Sequence, residues 1–200
     1  MLENYKTIKF SKLSTEPQSI TPDRGFKELT LDDSAISVMS DHRLEKAPIC
    51  SIKTSLDAAS KKMADEKTGL LLVENNEGQI VGLISSADIA GEKPIQYIND
   101  TKKSRDEIKI GHLMTCVSEL PALNIQDVLK SKIGDVLHTL NEIGSEYILV
   151  TTQEANETHI RGIFSARNIA RSLNIFFSPS PGAKTFAEFS RALSESHQTH

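Results

Sequence analysis

Leu56, Ala59, Ser60 and Met63 fall on one face of a 3.6-residue period and predict a helix, and Ile133, Val136, Leu137 and Leu140 repeat the spacing 77 positions later. A compact apolar run follows each helix, GLLLV at 69–73 and YILV at 147–150, short enough for a buried strand and again 77 apart when the closing Leu-Val pairs are matched. The next stretches, 79–85 and 159–165, read as strands that run straight into GLISSADIA at 82–90 and GIFSARNIA at 162–170. There the offset is 80, because the turn grows from ENNEGQ to TTQEANETH, and chain is most easily added in a loop. Asn75, Asn76 and Gly78 in the first turn tolerate the positive φ that a tight hairpin needs.

Each copy therefore reads as strand, helix, strand, strand, helix, with 49–52 and 116–120 as the leading strands. The predicted class is α+β, two βαββα repeats. A unit of about 55 residues with a three-stranded sheet leaves one sheet face bare and is marginal alone. Two copies can cover each other, so a pseudo-twofold pair is expected, sheets facing inward and a groove on each side of the seam. The division expected is an arm with a short helix at 1–45, repeats at 46–100 and 112–174 joined by a charged linker at 101–111, and a tail at 175–200. Asp32, Asp33 and Ser34 suit the start of the short helix. Residues 1–25, with Pro17 and Pro22, suit an extended or partly disordered arm. The segment 124–130 carries Ile125, Val128 and Leu129 at helical spacing and adds a helical turn. Phe186, Phe189 and Leu193 form a docking stripe on a helix in the tail.

Composition narrows the function. A net charge of −4 and no run of Lys and Arg argue against nucleic acid. The longest apolar run, LLLV, is too short for a bilayer, and the start MLENYKTIKF lacks the apolar core of a signal peptide, so a cytoplasmic protein off the membrane is expected. Cys50 and Cys116 are too few for a disulfide framework and have no metal-ligand spacing, so they read as half-buried thiols. The six histidines are scattered, and no GxxxxGK[ST], GxGxxG after a strand, HExxH or GxSxG is present; Gly182 to Thr185 lacks the leading glycine and the strand of a phosphate loop. Catalysis has no visible acid, base or metal, and no cofactor is required.

An amphipathic helix, a short buried strand, a turn, and a strand ending G-h-h-S/T-x-x-D resembles the CBS domain, named after cystathionine β-synthase, and the tandem resembles the pair called a Bateman module. The resemblance covers about 47–174, and IKIGHLMT at 108–115 is similar to the segment that introduces a repeat in that family. It implies paired βαββα units that often dimerise, here a homodimer, with adenosine-containing ligands such as AMP, ADP, ATP or S-adenosylmethionine in the clefts, and a regulator rather than a catalyst. Carried onto this chain, the ribose-binding aspartate matches Asp88 and the accompanying hydroxyl matches Ser85. A carboxylate can accept from two vicinal ribose hydroxyls at once. The adenine is implied to lie against the leading and middle strands, at Ile49, Gly69 and Leu71, and a glycine lets a flat ring approach the backbone.

The second copy departs from the pattern. Asn168 stands where the aspartate belongs, and a neutral amide binds ribose more weakly. Ser165 remains, Arg167 and Arg171 are one turn apart, and Arg161 is nearby. That site is empty, holds a phosphate-rich ligand, or lends its arginines to the neighbouring cleft. Ser85-x-x-Asp88 is also a capping box, which needs no ligand, and Gly82 and Gly162 read as packing or turn glycines in either case. Three functions follow from these alternatives: a module sensing an adenine nucleotide through conformational or oligomeric change, a ligand-free dimerisation or docking scaffold for an unidentified protein partner, and an enzyme acting on a nucleotide, the least supported.

Overall fold

The computed structural model describes residues 28–155 and 157–174. The helix expected in the tail, its aromatic stripe and the arm at 1–25 lie outside them. The chain runs through β1 (Ser40–Asp41), β2 (Ile49–Ser51), α1 (Leu56–Asp65), β3 (Leu70–Glu74), β4 (Ile80–Ser85), α2 (Ser86–Ala90) and α3 (Lys93–Thr101). It continues through β5 (Thr115–Cys116), β6 (Ala122–Asn124), α4 (Ile125–Val128), α5 (Ile133–Glu142), β7 (Tyr147–Glu154), β8 (Glu157–Ser165) and α6 (Ala166–Ser172). The α+β class and the duplication are as expected, and the match extends to register. Leu70 pairs with Ser85 and Val73 with Gly82, as Tyr147 does with Ser165 and Val150 with Gly162, and each hairpin breaks register just after that last pair.

Period 2 decides what each strand residue touches. Leu71, Val73 and Ile84 turn to the first unit's helices, packing with Leu56, Ala59 and Met63 of α1. Ile148, Val150 and Phe164 do the same in the second unit, against Val136, Leu137 and Leu140 of α5. The alternate residues, Leu70, Leu72 and Leu83 with Leu149 and Ile163, form a third cluster drawn from both sheets. The two sheets therefore face inward, as predicted.

Each sheet has four strands rather than three, and the extra one is exchanged. The orders are β2-β3-β4-β5 and β1-β8-β7-β6. Thus β5, which lies at the start of the second repeat in sequence, completes the first sheet, and β1, which precedes the first repeat, completes the second. The segments around these strands follow them: Ile108, Ile110 and Leu113 are buried in the first unit's core, and Ala35, Val38 and Met39 in the second's. The repeat glycines exist for this crossing. A Cβ on Gly82 would lie 2.6 Å from the Thr115 carbonyl oxygen, and one on Gly162 would lie 2.5 Å from that of Ser40.

Several expectations are corrected. The second leading strand is Ala122–Asn124, not 116–120, since Thr115–Cys116 pairs with β4 and a 3-10 turn fills Val117–Glu119. The residues added to the second turn lengthen its hairpin into strands of 8 and 9 residues. Part of the stretch assigned to the linker is ordered: α3 runs to Thr101, with Pro94 in its first turn, where the lost N–H is not needed, and Ser104 caps a 3-10 turn through Glu107. The short helix at Ala35–Val38 is 3-10, and Ser34 makes no side-chain cap. Cys50 is buried and Cys116 exposed, rather than both half-buried.

The strand β1 is also clamped by charge. Arg161 Nε donates to Asp41 Oδ1 at 2.6 Å and its Nη2 to Oδ2, and both side chains are largely enclosed. The guanidinium holds the Asp41 carboxyl below the usual carboxylate range, against the opposing effect of burial. Arg161, near the second motif in sequence, is thereby engaged elsewhere. Arg43 pairs with Glu154 on the lengthened hairpin, and Lys132 Nζ with Asp32 at 2.7 Å.

Candidate functional site

A cavity of about 710 Å³ opens at the seam. One wall comes from the turn after α1, with Glu66, Lys67, Thr68 and Gly69, and from Ser86 at the start of α2. The facing wall is Tyr147, Ile163 and Ser165, with Arg167, Asn168 and Arg171 of α6. The crossing segment, from Ser40 and His42 to Lys46, Ala47 and Pro48, closes a third side. Strand alternation brings Leu70 to this side of its sheet, while α6 starts where β8 ends and so points Arg167 across the seam. The Arg167 guanidinium comes within 4.0 Å of where a Gly69 Cβ would stand.

Gly69, Ser165, Arg167, Asn168 and Arg171 are thus brought together as one lining. Ser165 is 7 % exposed, and its hydroxyl has no hydrogen-bond partner among the described residues. Asn168 also keeps its amide free among them. Lys46, Lys67, Arg167 and Arg171 have no ion-pair partner among the described residues, and only Glu45 and Glu66 oppose them on the lining, so the cavity carries excess positive charge. A Cβ on Gly69 would meet nothing nearer than 3.8 Å, so the fold itself does not demand glycine there.

Asp88 and Ser85 do not line this cavity. They form the capping box: Ser85 N and Oγ both donate to Asp88 Oδ2, at 2.8 and 2.7 Å, and Asp88 N donates back to Ser85 Oγ at 3.1 Å. The other carboxylate oxygen pairs with Lys93 Nζ at 2.7 Å. Ile49 packs in the layer between the sheets. Leu71 is fully buried under α1, a correction of the adenine-side expectation: the pleat turns it away from the seam and puts Leu70 and Leu72 there instead.

Sequence reasoning missed Tyr147, Ser86, His42, Lys46 and Lys67 on the lining, and Lys93 on Asp88. Tyr147 carried a signal, since matching the Leu-Val pairs aligns it with Leu70 and makes it an inward strand residue. Burial pushes its phenol up to about 12, with the Glu146 charge adding to that effect and Arg167 opposing it, so it stays a neutral hydroxyl. Asp88 and the Ser85 hydroxyl also act on it, which sets Tyr147 between the two motifs. Burial keeps the His42 imidazole below its usual range, although Glu45 and Asp41 act the other way, and its sealed Nε2 has no hydrogen bond.

Comparison with known proteins bears on what this arrangement is. The family model of the CBS domain matches residues 34–93. No curated protein matches the chain. Among solved structures, an uncharacterized conserved protein from Pyrococcus horikoshii is 22 % identical with a TM-score of 0.52, over 76 % of this chain and all of its own. A CBS-domain protein of unknown function from Thermoplasma acidophilum is 22 % identical at 0.49, over 83 % of this chain and 76 % of its own. The Arabidopsis thaliana CBS-pair protein CBSX2, solved in complex with AMP, is 18 % identical at 0.48, over 70 % of this chain and 95 % of its own. At 22 % identity the likeness to the Pyrococcus horikoshii protein is one of fold alone. The match makes residues 34–93 similar to a CBS domain, and the duplicated, strand-exchanged fold sets a second unit of the same register beside them.

Proposed function

We propose that the protein is a regulatory module that takes an adenine nucleotide into the seam cavity and signals by shifting the angle between its two units or between subunits. The observation that carries this is the lining itself: an unpartnered, enclosed Ser165 hydroxyl beside Asn168, with four unpaired cations around it. The cations favour a charged phosphate chain, the hydroxyl and amide are suited to ribose or phosphate oxygens, and the open face of Gly69 accepts a flat base. Because the lining spans both units, a ligand that prefers one inter-unit angle shifts the population toward it by its differential affinity. The excess of cations ranks ATP and ADP above AMP, and AMP above S-adenosylmethionine, whose sulfonium is repelled.

A thermal-shift panel of these four compounds tests the reading on the full chain and on Arg167→Ala. A stabilisation of about 2.7 kcal/mol is expected at a hundredfold excess of ADP over its dissociation constant. Arg167→Ala removes most of it, and added salt weakens it in the parent chain. If no compound stabilises the parent chain at millimolar concentration, the ligand-free scaffold is the correct reading.

A further inference from the structure

The turns that leave α1 and α5 match bond for bond. Glu66 N donates to the Lys62 carbonyl at 2.9 Å, Lys67 N to that of Ala64 at 3.2 Å and Thr68 N to that of Met63 at 2.9 Å. At the positions 77 further on, Ile143 N donates to the Thr139 carbonyl at 3.1 Å, Gly144 N to that of Asn141 at 3.0 Å and Ser145 N to that of Leu140 at 3.1 Å. The hydroxyls agree as well: Thr68 Oγ1 donates to the Leu70 carbonyl and Ser145 Oγ to that of Tyr147. Each turn closes through one left-handed residue, the usual place for glycine, because there a Cβ crowds the following carbonyl oxygen. The second unit has glycine at that position, Gly144 at φ 63°, and nothing lies within 4 Å of where its Cβ would stand, so the backbone alone selects it. The first unit has Lys67 at φ 52°, a lysine in the conformation for which its own duplicate uses glycine. Of the four non-glycine residues with positive φ among the described ones, Lys67 is the one that lines the seam cavity.

The wall that the first unit gives to the cavity runs from Glu66 to Leu70 with Ser86, and Lys67 is the cation on it. Glu66 does not neutralise it, since its Oε1 is 2.8 Å from Lys62 Nζ, and Lys67 has no ion-pair partner among the described residues. Arg167 and Arg171 stand on the wall that belongs to the second unit. We propose that Lys67 is the first unit's half of a cation clamp across the seam, a specificity-determining residue that distinguishes nucleotides by the length of their phosphate chain. This rests on the nucleotide reading given above. A polyphosphate that touches both walls is held by the arginines and by Lys67 at once, and so ties one unit to the other. A single phosphate is satisfied by the arginines alone. Lys67 is exposed, so its pull is that of a partly screened charge, worth about fivefold in affinity.

The test gives the first unit the residue that the second unit uses. Lys67→Gly in the full chain is expected to raise the melting temperature without ligand by about 2 to 4 °C, because the left-handed position loses its side chain. In calorimetric titration the same variant is expected to bind ATP about fivefold more weakly than the parent chain and AMP within about twofold of it. Lys67→Met is expected to lose the same ATP affinity without the rise in melting temperature, and Lys67→Arg to keep the ATP affinity, which separates the charge from the backbone. Cooperative thermal unfolding of each variant confirms that it is folded. A glycine variant no more stable than the parent overturns the claim that the lysine is kept against the preference of its backbone. Unchanged ATP affinity in the glycine and methionine variants overturns the clamp, and so does an equal loss for ATP and AMP, because a single phosphate then feels the lysine as strongly as three. If ATP binds the parent chain and Arg167→Ala weakens it while the Lys67 variants change nothing, only this inference falls. If no adenine nucleotide binds the parent chain, the nucleotide reading falls and takes the clamp with it.

Discussion

Ser85 and Asp88 commit their polar atoms to each other and to Lys93, whereas Ser165 and Asn168, at the same place in the second unit, leave theirs to a cavity. The difference begins with one atom. A carboxylate at the third helical position can accept from both the backbone N–H and the hydroxyl of the capping serine, so the box closes; in the second unit no such bond forms and Ser165 makes no cap. The copy that fits the family pattern better in sequence is thus the one with less to offer a ligand. Matching a motif and having its atoms free are separate properties, and the second is decided by neighbours.

The largest expected effect on this contrast is at the strand that closes the cavity. Arg161→Met leaves the enclosed Asp41 carboxylate without its partner, and a loss of about 3 kcal/mol in urea unfolding is expected, with nucleotide binding lost alongside because β1 carries one wall. The pH dependence has a definite sign. Asp41 is held below its unfolded value, so its contribution is complete above a pH of about 4 and is lost as pH falls through the folded value. Asp41→Asn is therefore expected to lower stability at neutral pH and to flatten the acid side of the stability curve. Next come Gly82→Ala and Gly162→Ala. Each forces the crossing backbone away, at a cost of about 2 kcal/mol by chemical denaturation, and the two should be alike if the exchange is symmetric.

Exchanging the motifs sharpens the comparison further. Asn168→Asp is expected to close a second capping box and raise stability by about 1 kcal/mol. It should also weaken ADP binding, measured by calorimetry, since it adds a negative charge and engages Ser165. A variant that gains stability without losing ADP would show that the free hydroxyl is not used. The smallest effect on the fold is at Gly69→Ala, where nothing lies within 3.8 Å of the added carbon. Its melting temperature should stay near that of the parent chain while affinity drops, which separates a face kept open for a ligand from one required by packing.

The elements that repeat were legible because their signals are local. Helical spacing placed α1 and α5, and compact apolar runs placed β3 and β7. The capping box could be read as Ser85-x-x-Asp88, and Arg167 and Arg171 as a pair one turn apart. What was missed depends on contacts far along the chain. Nothing within IKIGHLMT says that Thr115 will pair with Leu83 rather than with its own repeat, and the insertion of α4 hid the true second leading strand. Leu71 was misplaced by one residue of strand alternation, which is enough to move a side chain from the seam to the core. Lys93 opens α3 just before Pro94, and its hold on Asp88 is a matter of three dimensions that the sequence analysis did not anticipate.

The exchange of β1 and β5 has a consequence for how the protein can be divided. A cut at the junction between the repeats would strip each sheet of one edge strand and leave each fragment carrying an orphaned strand with nothing of its own to pair with. Two such fragments mixed together should recognise each other through the strands each lacks, so that the unit copied in the gene and the unit that survives alone in solution are different lengths of chain.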